Sequence, residues 1–289
     1  MADSGGSSGR LRDEFGILPP GNVRQALLAL SALPLEKTKL RQLFDYRFSN
    51  GNGLAGHSFG NLFLTALTHI TGREDLAIRE AAKILDVQGQ VLPVTMDHSH
   101  LGARLEDGTI IKGETNIDIR RVRPDLKILD VFLDPPAKVY PEARRAILAA
   151  DLIVLAPGDL YTSLVPNLLV EGVNQAIVKS TGKLVYVCNL MTKHGETDGF
   201  AVSDYVAEVK RYLGKAAKKL THVLVNNQTG KIPATLLRRY RQERSFPVKI
   251  DEDKCQKLEV ELVVKPLAAV GQLLRHDPAK LAREISRLL

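Results

Sequence analysis

The side chains best suited to chemistry in this chain sit in short polar loops that each follow an apolar run. After residues 152–156, Pro157 and Gly158 break the run, and Thr162, Ser163 and Asn167 then bring hydroxyl and amide groups to the start of a helical pattern. The first N–H groups of a helix are unpaired and its dipole favours negative charge there, so this stretch suits a phosphate. Residues 183–188 run into Asn189, Thr192, Glu196, Thr197 and Asp198, and residues 222–225 into Asn226 and Asn227. Ligands of open α/β sheets lie outside the carboxyl ends of the strands, so three such loops describe one site. Taken singly, each loop is also an ordinary turn composition.

Other segments join this set. Residues 2–9 (ADSGGSSG) contain Asp3, Gly5, Gly6, Ser7, Ser8 and Gly9 and read as a glycine-rich turn. Its glycines can take positive φ and bring backbone amides close to an anion. Such a loop normally follows a buried strand, and only Met1 precedes it, so the segment is either a flexible terminus or, as the favoured expectation, the mark of a lost N-terminal βα unit of roughly 30 residues. His57, Ser58 and Asn61 fall on the first turns of a helix expected over 57–71, with Asn61 on the same face as His57. They read either as a cap or as one wall of the ligand site. Arg275 precedes the last helix and reads either as a bidentate diphosphate clamp or as a surface arginine.

The elements that must position these groups follow from apolar spacing. Residues 152–156 predict a strand buried on both faces of a parallel sheet. Helices are expected over 22–33 with Asn22 as N-cap, over 35–48, over 73–85, over 141–150, over 203–213 with Ser203 as N-cap, and over 277–288 with Pro278 in its first turn. Strands are expected over 90–95, 127–132 and 260–264. Residues 100–118 predict a hairpin around Asp107 and Gly108, a departure from βα alternation that forms a small excursion or a dimer surface. The string Asp97, His98, His100 resembles a metal cluster, but alternate strand positions point to opposite faces and no distant ligand set accompanies it.

Composition narrows the function. The 289 residues include no Trp and 5% aromatics, which fits aliphatic strands under helices. No run approaches the roughly 20 apolar residues that span a bilayer, and the start is not a signal peptide. Cys188 and Cys255 make no disulfide framework, so a cytoplasmic location is expected. The net charge of +7 is spread over helix faces without a nucleic-acid module, although such a field helps draw in an anionic small ligand. There is no GxSxG elbow, HExxH or complete Walker loop.

Read together, ADSGGSSGRLRDEFGILPPG, GLAGHSFGNLFLTALT, APGDLYTSLVPNLLV, YVCNLMTKHGETDGF and the late RHD resemble the YvcK group of the CofD-like family, the bacterial gluconeogenesis factors, over essentially the whole chain. The resemblance implies a single three-layer, Rossmann-like α/β domain with a mainly parallel sheet. It also implies a cytoplasmic protein that binds nucleotide sugars such as UDP-glucose and UDP-N-acetylglucosamine, and that acts in cell shape and wall synthesis on gluconeogenic carbon sources as a regulator rather than a catalyst. The related CofD branch is a 2-phospholactate transferase with acidic groups and a divalent metal near its glycine-rich loop. This chain departs from the family pattern in lacking the initial strand and GGGTG-type loop, in having Asn22 after Gly21 where GD is expected, and in having Asp159 where Ser is usual.

The leading expectation is a nucleotide-sugar-binding regulator. Gly158, Thr162, Ser163 and Asn167 hold the phosphates with the amides of residues 3–9 and Arg275. Asn189, Thr192, Glu196, Thr197 and Asp198 meet sugar or ribose hydroxyls, and His57, Ser58 and Asn61 close the other wall. The alternative is a metal-dependent phosphotransferase of the CofD kind. A third reading is a scaffold recognised through the hairpin by a cell-wall or metabolic protein. Neither nucleic acid nor membrane insertion is expected.

Overall fold

The structure, a computed structural model, describes residues 4–34, 38–228 and 232–289. Five helices come first: α1 (Gly6–Phe15), α2 (Pro20–Leu30), α3 (Lys39–Asp45), α4 (Phe59–Thr71) and α5 (Glu74–Ile84). Val23, Leu27 and Leu28 of α2, Phe44 of α3, Leu64 of α4 and Ile78 of α5 recur at helical spacing and bury one another in a separate apolar cluster.

Strand β1 (His100–Leu105) turns through Asp107 and Gly108 into β2 (Ile110–Lys112). Gly108 supplies the positive φ of 84° that this turn requires, and Thr109 N–H donates to Asp107 Oδ1 at 2.9 Å. After the one-turn helix α6 (Glu114–Asp118), β3 (Ile128–Asp134) pairs antiparallel with the free edge of β1, giving a three-stranded sheet in the order β2–β1–β3.

Helix α7 (Pro141–Ala149) feeds β4 (Leu152–Leu155), which continues through a π-helical turn (Leu160–Leu164) into α8 (Val165–Leu168) and α9 (Val173–Lys179). Then come β5 (Lys183–Val187), α10 (Val202–Leu213), β6 (Leu220–Asn226), α11 (Ala234–Gln242), α12 (Glu252–Gln256) and β7 (Glu261–Lys265). β4, β5, β6 and β7 lie side by side in that order, all parallel. A short hairpin, β8 (Ala268–Val270) with β9 (Leu274–His276), and α13 (Pro278–Ser286) follow.

Strand period 2 divides the parallel sheet between two cores. Leu184 and Tyr186 of β5 and Val223 and Val225 of β6 join Val173 and Ile177 of α9 and Val202, Val206 and Val209 of α10 on one side. Val185, Val187 and Leu224 face the other way, covered by Leu267 and by Leu281 and Ile285 of α13. Each such side chain, fully buried, contributes about 1.5–3 kcal/mol. A parallel sheet with helices on both faces is the α/β architecture expected from the sequence.

Several local expectations fail for physical reasons. Residues 6–15 form a helix rather than a turn. Gly5 is extended (φ −90°), Gly6 alone of its glycines has positive φ (47°), and Gly16 closes the helix in the left-handed region with its N–H on Arg12 O at 2.9 Å. Gly9 lies inside this helix, its N–H donating to Gly5 O at 2.9 Å, and a Cβ there would meet Ser4 O at 2.1 Å. Residues 90–95 form no strand. Pro93 carries no ladder donor, and Val94 O instead accepts from Tyr140 N at 2.8 Å. β3 belongs to the antiparallel sheet, not to the parallel alternation. β4 is an edge strand whose residues are only half-buried, not a strand covered on both faces.

Helix starts also shift. α2 begins at Pro20, so Asn22 is inside it rather than capping it, and Ala201 rather than Ser203 is the N-cap of α10. Ser203 instead donates to Asp251 Oδ2 at 2.6 Å. His57 and Ser58 precede α4, with Ser58 Oγ capping Asn61 N–H at 3.3 Å. Residues 35–37 of the expected second helix lie outside the described residues, as does Asp3.

Candidate functional site

The carboxyl ends of β4 and β5 are tied together. Asn189, just beyond β5, donates through Nδ2 to Gly158 O at 2.8 Å, and Tyr186 OH donates to Asn189 Oδ1 at 3.3 Å. The π-helical turn after β4 presents an N–H and a hydroxyl near its start to a carboxylate of the chain itself. Tyr161 N donates to Glu196 Oε2 at 3.1 Å and Thr162 Oγ1 to Glu196 Oε1 at 3.2 Å. The anion expected at this helix start is therefore in part internal.

Glu196 is one of three carboxylates, with Asp118 of α6 and Asp159, whose oxygens lie within 4.8 Å of one another. Lys193 binds all three. Its Nζ stands 2.7 Å from Asp159 Oδ2 and 3.1 Å from Glu196 Oε1, and donates to Asp118 Oδ1. Burial alone would lower the Lys193 ammonium, but the carboxylates outweigh it and hold it above its ordinary range. Three carboxylates against one ammonium leave negative charge in excess, and Glu196 is the most buried of them. Its carboxyl is pushed up to about 7, chiefly by burial, with Lys193 opposing and Asp159 reinforcing the shift. Asp159 thus pairs with a cation, which offsets in part the repulsion that a carboxylate at this position would exert on a phosphate.

Beside this cluster opens a cleft of about 470 Å³, lined on one wall by Thr162, Ser163 and Asn167, with Asn22 of α2 and Glu114 of α6 among the other polar groups. Val23, Ala26, residues 91–94 and Pro166 make its apolar surface. The volume is of the order typical of small-molecule sites. Gly158 is constrained behind this wall, since a Cβ there would stand 3.1 Å from Ser163 Cβ.

A second polar group gathers around α1. His57 is buried, and its Nδ1 lies 3.0 Å from Ser7 Oγ. Asn61 Nδ2 donates to Ser7 Oγ at 3.1 Å and to Ser8 Oγ at 3.4 Å, while its Oδ1 is buried without a hydrogen-bond partner. Burial lowers the His57 imidazole, with Arg10 and Arg47 adding to the effect and Glu14 opposing it. α6 joins the two groups. Ser4 N donates to Glu114 Oε2 at 3.4 Å at the head of α1, and Asp118 at the other end of α6 holds Lys193.

The remaining expected residues make contacts of their own. Thr192 Oγ1 accepts from Phe246 N at 3.0 Å, and Thr197 Oγ1 accepts from Tyr205 OH at 2.8 Å and from Lys193 N at 2.9 Å. Both are buried and fix the shape of residues 192–198. Asp198 accepts from Gly195 N at 2.7 Å and pairs with His194 Nδ1 at 2.9 Å. Asn167 donates to Ser163 O at 2.7 Å as well as lining the cleft. Arg275 is exposed on β9.

Lys193, Asp118 and Glu114 were not singled out by the sequence. Lys193 had the only available signal, a cation inside a polar loop after a strand, while its partners stand 75 and 34 positions away.

A divalent ion of the kind the CofD branch uses does not fit the described residues. The one carboxylate group that could hold it is filled by the Lys193 ammonium. Asn22, on the cleft wall, offers a neutral amide. At the 97–100 string, Asp97 Oδ2 is taken by Lys138 N at 2.7 Å, and no histidine belongs to a ligand group among the described residues.

Residues 1–268 match the family described as 2-phospho-L-lactate transferase CofD. A Thermotoga maritima protein is 46% identical over 292 residues, covering all of this chain and 89% of its own. Proteins named gluconeogenesis factor from Halalkalibacterium halodurans (43% identical, 99% of this chain, 86% of theirs) and Bacillus subtilis (39% identical, 100% and 88%) are also similar. A crystal structure of a Bacillus halodurans protein superposes with a TM-score of 0.91 at 43% identity, covering 99% of this chain and 89% of that one. The chain belongs to the CofD family, within its YvcK-type group of gluconeogenesis factors.

Proposed function

We propose that this protein is a regulatory gluconeogenesis factor that binds a UDP-sugar in the cleft beside β4, acting in cell shape and wall synthesis during growth on gluconeogenic carbon. The observation that carries the reading is the pairing of one hydroxyl and amide wall, Thr162, Ser163 and Asn167, with an apolar surface from α2 and residues 91–94 in a single cleft. The polar wall suits phosphate and sugar oxygens and the apolar surface suits the flat face of a base. A ligand that binds only the folded state stabilises it by about 2.7 kcal/mol at a hundred times its dissociation constant. UDP-N-acetylglucosamine should therefore raise the melting temperature in a concentration-dependent way, and Ser163→Ala should reduce the rise. An unchanged melting temperature at millimolar ligand would count against the reading.

The family match also supports a second reading, a metal-dependent 2-phospholactate transferase activity. It requires turnover of a nucleotide-activated phospholactate with magnesium. It is weakened by Lys193 standing among the carboxylates and by the neutral Asn22.

A further inference from the structure

We infer that Lys193 is a resident cation, occupying a three-carboxylate site that would hold a divalent ion in its absence. The oxygens of Asp118, Asp159 and Glu196 lie within 4.8 Å of one another, a spacing that one hard cation bound at about 2.0–2.6 Å per oxygen can bridge. An ammonium carries three N–H donors, and here it meets these three acceptors.

The backbone that carries the lysine is fixed. Its own N–H donates to Thr197 Oγ1 at 2.9 Å, Thr197 N donates back to Lys193 O at 2.8 Å, and Tyr205 OH donates to the same Thr197 hydroxyl. Glu196 is fixed from its other side by Tyr161 N and Thr162 Oγ1. The deepest ligand is thus held by the turn that supplies Thr162 to the cleft wall, and the lysine's backbone by the loop after β5. A fixed ammonium on the Thr162 side offsets part of the carboxylate charge that an incoming anion would meet. This consequence rests on the proposed function, while the occupancy of the site does not.

The test uses Mn²⁺ alone, read by electron paramagnetic resonance of the free ion and by thermal melting, so it is independent of any nucleotide sugar. Wild-type protein should bind no stoichiometric Mn²⁺. Lys193→Met, which keeps the aliphatic stem, should bind one Mn²⁺ per chain at least about tenfold tighter than wild type and should melt higher with the ion than without it. Glu196→Gln in the Lys193→Met background should remove that site. If Lys193→Met is too unstable to purify alone, folding that is restored by Mn²⁺ supports the inference equally. A stoichiometric Mn²⁺ site in wild type that Asp159→Asn abolishes would overturn it. So would a Lys193→Met chain that gains neither Mn²⁺ binding nor Mn²⁺-dependent stability.

Discussion

Lys193 and Glu196 sit three positions apart in one loop yet depend on residues from α6 and from the end of β4. Removing one partner of a buried charge cluster leaves the others uncompensated, which typically costs several kcal/mol. Glu196 has its carboxyl raised above the unfolded value, so the folded state holds its proton more tightly. The sign follows: between the unfolded value of about 4.3 and the folded value near 7, the folded chain binds more protons, and stability attributable to this group falls as pH rises. Glu196→Gln should therefore flatten the pH dependence of denaturant midpoints across that window, while a slope equal to wild type would show that Glu196 is not its source. At Gly60, a Cβ would meet Phe44 O at 2.5 Å and Arg24 Cδ at 2.7 Å. Gly60→Ala should cost about 1–3 kcal/mol through overpacking, measured by urea unfolding.

Among the elements, α5 and the start of α7 are joined by a polar network rather than by apolar surface alone. Asp75 is buried. Burial alone would raise its carboxyl, but hydrogen bonds from Arg73 (Nη2 at 2.7 Å) and Tyr140 OH (2.9 Å) outweigh this and hold it below its usual value. A depressed carboxylate contributes stability above its unfolded value near 3.9, and loses it as pH falls through the folded value. Asp75→Asn should thus be about 1–3 kcal/mol less stable at pH 7, with the gap to wild type closing below about pH 4. A gap that persists in acid would place the loss in packing instead. Elements whose cause is local were readable in the sequence. The Asp107–Gly108 hairpin follows from turn chemistry, and β5 and β6 from unbroken apolar runs before polar loops. Where a neighbour decides, the sequence misled. Gly9 lies in a helix where Ser4 leaves no room for a Cβ, and residues 90–95 form no strand, Val94 O accepting from Tyr140 N instead.

Across the whole molecule, two polar groups built from distant segments meet through α6, the short helix after the β1–β2 hairpin. Thr162, Ser163, Asn189 and Glu196 cluster at the carboxyl ends of β4 and β5, the first two of the three polar loops expected to form the site, whereas Asn226 of the third accepts from Leu267 N and Ala268 N at 3.0 Å. His57 and Asn61 gather instead on Ser7 and Ser8, and Arg275 remains on the β8–β9 hairpin. The loops were legible because each follows its strand directly. The link through Glu114 and Asp118 was not, because nothing in the hairpin's own sequence records what packs against its end.

Isothermal titration calorimetry of UDP-N-acetylglucosamine into wild-type protein and into Ala26→Phe, which fills the cleft from α2, tests the central claim most directly. The account predicts saturable one-site heat for wild type, unchanged by EDTA, and its loss in Ala26→Phe with folding intact. Absence of heat from wild type at millimolar ligand, or equal affinity in the cleft-filling variant, would contradict it.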